Sequence, residues 1–479
     1  MAWTPQDLTM QKSKVVDLLR TLSERQLAGL KVYCTAELTN KPLSPLKLLE
    51  LLSPSLQRPD KLPTKEAAFK LLYPGKRFSD KQLSYVLSDL LHLTERYLIT
   101  EGALSEELSN RLRLLRYYDA TRLEKHYEEV MRETEKQMKA YPFKDASKHY
   151  NEFLLHEIRN HHFDRLKERR HDDSLQKAID NLDIYYLIIK LKHSCEIVNR
   201  QRFSSSTYDL RFINEILQYL EANPHEQVPA IAIYYHIYRM LTEPQNESWF
   251  SELKDLLDKH SAQFPPSEAK DMYDYALNYC IIRINEGKQE FLNEVFLIYK
   301  ALLEKELLFI EKTLSPWSFK NIVVVALRLK EYKWAEDFIE RYKNRISPEF
   351  RANAYAYNRA YVHFHRGQYE QALLLLQTVA FTDIYYSLDT RSLMLKIYYE
   401  LDEVEALRSH INAFRLFLRR NKLVSESMRT VYLNQIRFIQ AILRLKPRDA
   451  TARAKLKTDL EGTTQIADKN WVMEKVAEA

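Results

Sequence analysis

Glycine is the residue that this sequence most lacks. There are six glycines in 479 residues, although average usage of about 7% would give roughly thirty-three. They lie too far apart to form the glycine-rich loops that bind dinucleotides or phosphates, or the turn that carries the nucleophilic serine of many hydrolases. Hairpins of β-sheet proteins also use glycine, so a strand-rich fold is disfavoured. We therefore expect a protein that is not an enzyme and that binds no cofactor and no metal.

Cysteines and long apolar runs are also few. The three cysteines, Cys34, Cys195 and Cys280, lie far apart and in no CxxC pair, which favours buried thiols of a reducing compartment over redox or zinc sites. The longest apolar run, IVVVAL at 322–327, is far shorter than a membrane span. The opening MAWTPQDLTMQKSK has no apolar core of a signal peptide. We therefore expect a cytoplasmic protein with no membrane span.

Residues that suit amphipathic helices are abundant instead. Hydrophobic residues make up 45% of the chain and charged residues 29%, which predicts an all-α fold of helices packed on one another. Polar and proline-containing breaks separate the predicted helical stretches 105–140, 147–170, 173–202, 207–222, 226–242, 247–262 and 266–286. In residues 1–102 the predicted helices are shorter and prolines punctuate them. We expect this region to be a separate N-terminal helical domain.

A repeated apolar pattern follows the fifth glycine. One helix face is formed, at offsets 0, 3, 7 and 10, by Tyr369, Ala372, Leu376 and Val379. The same pattern recurs 37 residues earlier from Tyr332 and 35 residues later from Val404, and a weaker copy begins at Gln289. Each copy follows another helix with apolar residues 5 and 9 positions before it. These periods suit two-helix units of about 34 residues with loops of variable length.

The segment AYNRAYVHFHRGQYEQALLLLQTV resembles a tetratricopeptide repeat (TPR). Ala360 matches the small residue of its first helix, Gly367 matches the turn, and Tyr369 and Ala372 match the second helix. The resemblance covers residues 277–422 and implies a TPR-like helical-repeat solenoid.

The sequence departs from the TPR pattern at the turn, where Lys330 and Asp402 stand in place of glycine in the flanking copies. Segments such as LSPWSFKNIV and KIYYELDEVEAL are similar to helical-repeat proteins of Bacteroidota, a resemblance that implies fold and origin and brings no activity. We expect the N-terminal domain to be followed by a TPR-like array over 103–446 and by a C-terminal helical tail over 447–479.

Two histidine-containing segments invite a search for metal ligands, and a third segment, KERRH at 167–171, looks basic. His363 and His365 lie about 200° apart on a helix and cannot chelate one ion; we expect His363 to face the packing side and His365 the surface. In HEIRNHH at 156–162, Asn160 occupies the place of the second histidine of a metalloprotease motif. We interpret this motif, and KERRH at 167–171, as polar faces of helices.

Two surfaces are candidates for binding a partner. In the repeat alignment, the groove-facing positions of the first helices, a candidate peptide groove, are Lys320, Asn321, Tyr357, Asn358 and Tyr361. From Ala406 to Arg448 there are ten Arg or Lys and one acid, whereas the whole chain has a net charge of +6. A cationic ridge on one helix face is predicted from Arg408, Arg415, Arg419 and Lys422. Its role is either a solubilising cap or a site for an anionic partner: an acidic protein, the acidic tail from Asp459 onward, nucleic acid or a lipid surface.

The leading hypothesis is a non-enzymatic scaffold or adaptor that binds a protein or peptide, with an acidic partner the favoured one. The alternative is a DNA-binding regulator. Ser79 and Gln82 form a capping box, and the rhythm of helices around them is similar to winged-helix domains that precede helical repeats. Against DNA binding, the stretch 82–99 has Arg96 as its one arginine and also carries acids, so structural packing is favoured there. Motifs do not exclude a third hypothesis, an enzyme whose groups come from distant helices.

Overall fold

The structure is a computed structural model that describes residues 10, 13–58, 61–167, 171–203, 207–225, 227–379, 384–445 and 449–479. It is 78% helical, with 23 α-helices in the described part of the chain. The strands of the described residues are β1 (Phe309–Ile310) and β2 (Thr313–Leu314), which form one antiparallel pair. The all-α prediction is therefore confirmed. The opening residues and the middle of KERRH lie outside the described residues.

The first nine helices cover the chain to residue 203. They are α1 (Lys14–Arg20), α2 (Glu24–Glu37), α3 (Ser44–Leu52), α4 (Lys65–Leu72), α5 (Asp80–Ser105), α6 (Glu107–Ala120), α7 (Glu124–Ala140), α8 (Ala146–Leu166) and α9 (Ser174–Phe203). The predicted start of α5 is confirmed, since the Ser79 hydroxyl accepts a hydrogen bond from the backbone N–H of Gln82 at 3.3 Å. The apolar faces of α1 to α5 share one core, which includes Leu30, Phe69 and Leu90.

The other fourteen helices follow from residue 213. They are α10 (Ile213–Ala222), α11 (Pro229–Thr242), α12 (Ser248–His260), α13 (Pro266–Asn285), α14 (Phe291–Glu304), α15 (Pro316–Arg328), α16 (Tyr332–Tyr342), α17 (Pro348–His365), α18 (Tyr369–Leu376), α19 (Ile384–Glu400), α20 (Val404–Arg420), α21 (Glu426–Ile442), α22 (Ala450–Gly462) and α23 (Lys469–Glu478).

The chain divides into two compact units. The first consists of Met1–Tyr141 and Lys148–Asp183, and the second of Pro142–Ser147 and Ile184–Ala479. Within the second unit, sequence neighbours such as α13 and α14, or α17 and α18, pack on each other, and so do alternate helices such as α15 and α17.

One turn geometry closes five of the helix pairs. Residues Gly287, Lys330, Gly367 and Asp402 occupy the same repeat position and all have a left-handed backbone, with φ between 56° and 101°. At each, the next residue's N–H bonds to the carbonyl five residues earlier, as from Gln368 to His363, which caps the end of the preceding helix. A fifth turn of this kind, at Arg122 between α6 and α7, divides the stretch 105–140 that the sequence predicted as one helical stretch.

The repeated apolar stripes form the core that the sequence predicted. Ala335, Ala372, Ile339 and Ile411 are at most 1% exposed, and the stripes of α16 and α18 belong to one hydrophobic cluster of the second unit. The three cysteines are buried, as predicted, and burial raises the pKa of each thiol. None of the helices in the described part of the chain combines the length and the apolar character needed to cross a membrane.

Candidate functional site

Three of the five residues of the candidate peptide groove lie in the protein interior. Tyr357, Asn358 and Tyr361 are between 0% and 9% exposed, and the Asn358 amide donates a hydrogen bond to the Ala354 carbonyl at 2.7 Å. Lys320 is partly buried and forms an ion pair with the Asp389 carboxylate. The expectation that all five residues face an open groove is therefore wrong. The repeat alignment predicts which face of its helix a residue lies on, but it does not predict which other parts of the chain cover that face.

The same repeat position is open elsewhere in the second unit. Asn278, Asn321 and Asn358 are equivalent in the repeat alignment, and the first two are exposed. Asn278 lies at a cavity of about 310 Å³ between α9, α11 and α13. We call this cavity the acidic pocket, and its lining residues are Lys192, Glu196, Asn199, Tyr234, Asp271, Asp274, Tyr275 and Asn278. The recurring asparagine could have indicated this pocket from the sequence. Asn321 and Asn358 were predicted as groove residues, but the equivalent Asn278 was not.

A buried carboxylate fixes the one cation of the acidic pocket. The Lys192 ammonium lies 2.7 Å from Glu268 Oε1, which also accepts a 2.6 Å hydrogen bond from the Tyr234 hydroxyl. Both Tyr234 and Glu268 are at most 9% exposed. These contacts join α9, α11 and α13. The Glu268 carboxylate also neutralises the positive charge of Lys192. Lys270, which does not line the pocket, pairs with the lining residue Asp274.

The carboxylates of the acidic pocket outnumber its cation. Three acids line it against one lysine, which is paired with Glu268. Two of these acids are also paired, Glu196 with Arg200 and Asp274 with Lys270. Burial, together with the negative charge of Asp274, raises the pKa of the Asp271 carboxyl group. The two carboxylates therefore repel each other, and a positive charge placed between them would relieve that repulsion. The lining residues include no serine, cysteine or histidine.

The cationic ridge is shorter than predicted. Helix α20 ends at Arg420, and Asn421 has an extended backbone, so Lys422 does not continue the helix face as the sequence spacing suggested. Arg408 pairs with Glu405 at 3.2 Å, and Arg415 donates a hydrogen bond to Gln440 at 2.7 Å. Within the described residues, exposed cations without a hydrogen bond or ion pair include Arg419 and Lys422. The acidic tail contacts a different cation, since Asp459 lies 3.6 Å from Arg437 of α21.

A buried lysine, Lys396, lies beside His365, the last residue of the helix before the Gly367 turn. Lys396 of α19 is 2% exposed, lies over the rings of Tyr361 and Phe364 and pairs with Asp468 at 2.8 Å. His365 is turned toward this cluster and its Nε2 is buried, without a hydrogen-bond partner in the described part of the chain. Burial and the positive charge of Lys396 lower the pKa of His365 to about 4. The prediction that His365 faces the surface is therefore wrong.

The HEIRNHH segment stabilises helix contacts. His162 of α8 stacks on the Tyr127 ring, with centroids 3.8 Å apart, and its Nδ1 lies 2.7 Å from the Asp119 carboxylate. Arg165 bonds to the same carboxylate at 2.7 Å. These contacts join α8 to α6 and α7 in the first unit. Over the described residues, no group of His, Cys, Asp or Glu side chains is arranged to hold a metal ion.

Comparison with known proteins gives no further assignment, because no protein-family model and no curated protein sequence matches the chain.

Proposed function

We propose that the protein is a non-enzymatic helical-repeat scaffold or adaptor, and that its acidic pocket receives a cationic side chain of a protein partner. The observation that carries this proposal is the pocket itself, an open cavity with three acids in its lining, formed by helices α9, α11 and α13. A solenoid of TPR-like pairs would place such positions along one continuous binding face. The turn shared by five helix pairs supports that arrangement.

The chemistry of the pocket favours a lysine or an arginine of the partner over an acidic group. A cation entering near Asp271 and Asp274 would be attracted by both carboxylates, whereas an anion would be repelled. This differs from the acidic partner that the sequence favoured, which remains a proposal for the basic region around α20. A partner with separate basic and acidic segments would suit both regions.

The DNA-binding alternative has less support. Arg96, the arginine of the candidate recognition segment, pairs with Glu37 at 3.1 Å, and Lys65 pairs with Asp80 at 3.0 Å. Paired cations are less available to phosphates than free ones. The strands of the described residues lie at 309–314, so none of them supplies a β-wing beside α5.

Site-specific photocrosslinking tests the proposal. A photoreactive phenylalanine analogue in place of Asn278 should capture a specific protein in the native host, and the same analogue at exposed Glu370 is the control. The captured protein, once purified, should bind the double variant Asp271→Asn, Asp274→Asn about tenfold more weakly than the wild type, a loss of about 1.4 kcal/mol. Glu370→Gln should bind like the wild type. If both positions capture the same proteins, or if the double variant binds normally, the pocket is not the binding site.

A further inference from the structure

The C-terminal segment, residues 449–479, packs on helices that belong to the repeat pairs. Trp471 Nε1 donates a 2.8 Å hydrogen bond to Glu400 Oε1, and the Lys475 ammonium lies 3.0 Å from the same oxygen. The Trp471 ring meets the Tyr399 ring edge-on, with centroids 5.4 Å apart. Together with the pair between Lys396 and Asp468, these contacts cover one face of α19.

Backbone contacts align the segment with α21. The Ala467 N–H donates to the Val431 carbonyl at 3.4 Å, and the Asn434 amide donates to the Gln465 carbonyl at 2.8 Å. Below them, a small apolar cluster joins the segment to α21, and its buried residues are Phe438, Ile442, Leu460, Val472 and Val476. The segment therefore lies on α21 and on α19, and α19 is the first helix of the last repeat copy.

Helix α19 presents two opposite charges to the segment. Lys396 and Glu400 are four residues apart and so lie on the same helix face. Lys396 is 2% exposed and the Glu400 side chain 13%. Without the segment, Lys396 would lose the carboxylate of Asp468, and Glu400 would lose its two donors. An unpaired charge at such a site is costly. The face therefore needs an occupant whose sequence supplies a carboxylate for Lys396 and, further along, an N–H donor for Glu400.

The segment supplies these groups with few buried side chains of its own. Leu460 is the buried residue that α22 contributes in the described structure, and α23 contributes Val472, Lys475 and Val476. Asp468, the residue before α23, has a left-handed backbone with φ of 50°, a conformation that is unfavourable for a residue other than glycine. The Trp471 ring also packs against two larger hydrophobic clusters. The segment is therefore held by a few polar contacts, the small apolar cluster and one aromatic ring, and a helix of matching chemistry could replace it.

We infer that the face formed by α19 and α21 is a second protein-binding surface and that the C-terminal segment occupies it as an exchangeable intramolecular ligand. Its partner is a helical segment of another protein. That segment carries an aspartate or glutamate at its N-terminal end, for Lys396, and an indole or ammonium group one or two turns later, for Glu400. This inference rests on the proposed protein-binding function, but it uses contacts that do not involve the acidic pocket.

Binding of a peptide to the full-length chain tests the inference. The probe is a fluorescein-labelled synthetic peptide of residues 449–479. The wild-type chain should bind it weakly, because its own segment holds the surface. The full-length double variant Asp468→Ala, Trp471→Ala should bind it about tenfold more tightly, and a peptide with Asp468→Ala should lose this gain. If the double variant binds no better than the wild type, or binds both peptides equally, the inference is wrong.

Two further measurements complete the test. Hydrogen exchange of the unmodified chain should show α22 and α23 opening together, about tenfold more often than α19 and α21; equal protection would contradict an exchangeable segment even if the double variant does not fold. Sedimentation of the double variant without peptide should show a monomer. A dimer would mean that the surface binds a second copy of the chain, which would contradict the proposal that it binds a different protein. The variant Asp271→Asn, Asp274→Asn should bind the peptide like the wild type, so failure at the pocket and failure here are distinguishable.

Discussion

At the scale of single residues, His365 shows how one buried group couples stability to pH. Its imidazole lies near the Lys396 ammonium and the Asp468 carboxylate, and burial is the main reason that its pKa falls to about 4. An unfolded histidine has a pKa of about 6.5. The unfolded chain therefore takes up a proton that the folded chain does not, and this residue makes the folded state less stable as the pH falls from about 6.5 to about 4.

We expect His365→Gln to remove this pH dependence. At about pH 5 the wild-type histidine should cost about 2 kcal/mol of stability relative to about pH 7.5, while glutamine stays neutral at both values. The measurement is the free energy of unfolding in urea at the two pH values for wild type and variant. His363→Gln is the matched control, since His363 bonds to Gln368 near the surface and its replacement should not reduce the difference. An unchanged pH dependence in His365→Gln would mean that the ring is solvated.

At the scale of helices and turns, the sequence predicted more than it did at the scale of sites. Gly367 marked a turn directly, and the period of the apolar stripes then located the equivalent turns at Lys330 and Asp402. The turn at Arg122 was missed because neither glycine nor proline signals it. The information was present, since Tyr127 and Met131 continue the same stripe at offsets 3 and 7 from Glu124.

The site could be predicted less well, because burial depends on segments that are distant in sequence. Tyr361 is covered with the help of Lys396, which in turn is paired with Asp468. No local pattern relates these three residues. The acidic pocket has the same difficulty, since its residues come from three helices and each helix alone appears as an ordinary polar face.

The turn at Lys330 can be improved by one substitution. Its φ of 62° is unfavourable for a residue with a Cβ atom. We expect Lys330→Gly to stabilise the packing of α15 on α16 by about 0.5 to 1 kcal/mol. Lys330→Ala is the control, because it removes the exposed side chain but keeps the Cβ atom, and it should not stabilise. Hydrogen exchange of α15 and α16 measures the effect; equal protection in both variants would show that backbone strain is not the cause.

At the scale of the whole molecule, the two compact units have separate hydrophobic clusters. The cluster of α1 to α5 lies in the first unit, while the largest cluster runs from Ala146 to Ile397 in the second. In a repeat array each pair of helices depends mainly on its neighbours. Damage inside the second cluster should therefore spread along that unit before it affects the first.

Ala372→Asp tests this separation. Ala372 is 0% exposed, so an aspartate there would place an unpaired charge in the core at a cost of several kcal/mol, roughly 3 to 5. We expect hydrogen-exchange protection to be lost in α17 to α19 and to persist in α2, α3 and α5. Leu374→Asp is the control, because Leu374 lies on the same helix but is 65% exposed, and it should leave both regions protected. Loss of protection in α2, α3 and α5 to the same extent would mean that the chain unfolds as one cooperative unit. Unchanged protection in every helix would mean that the repeat register of α18 is wrong.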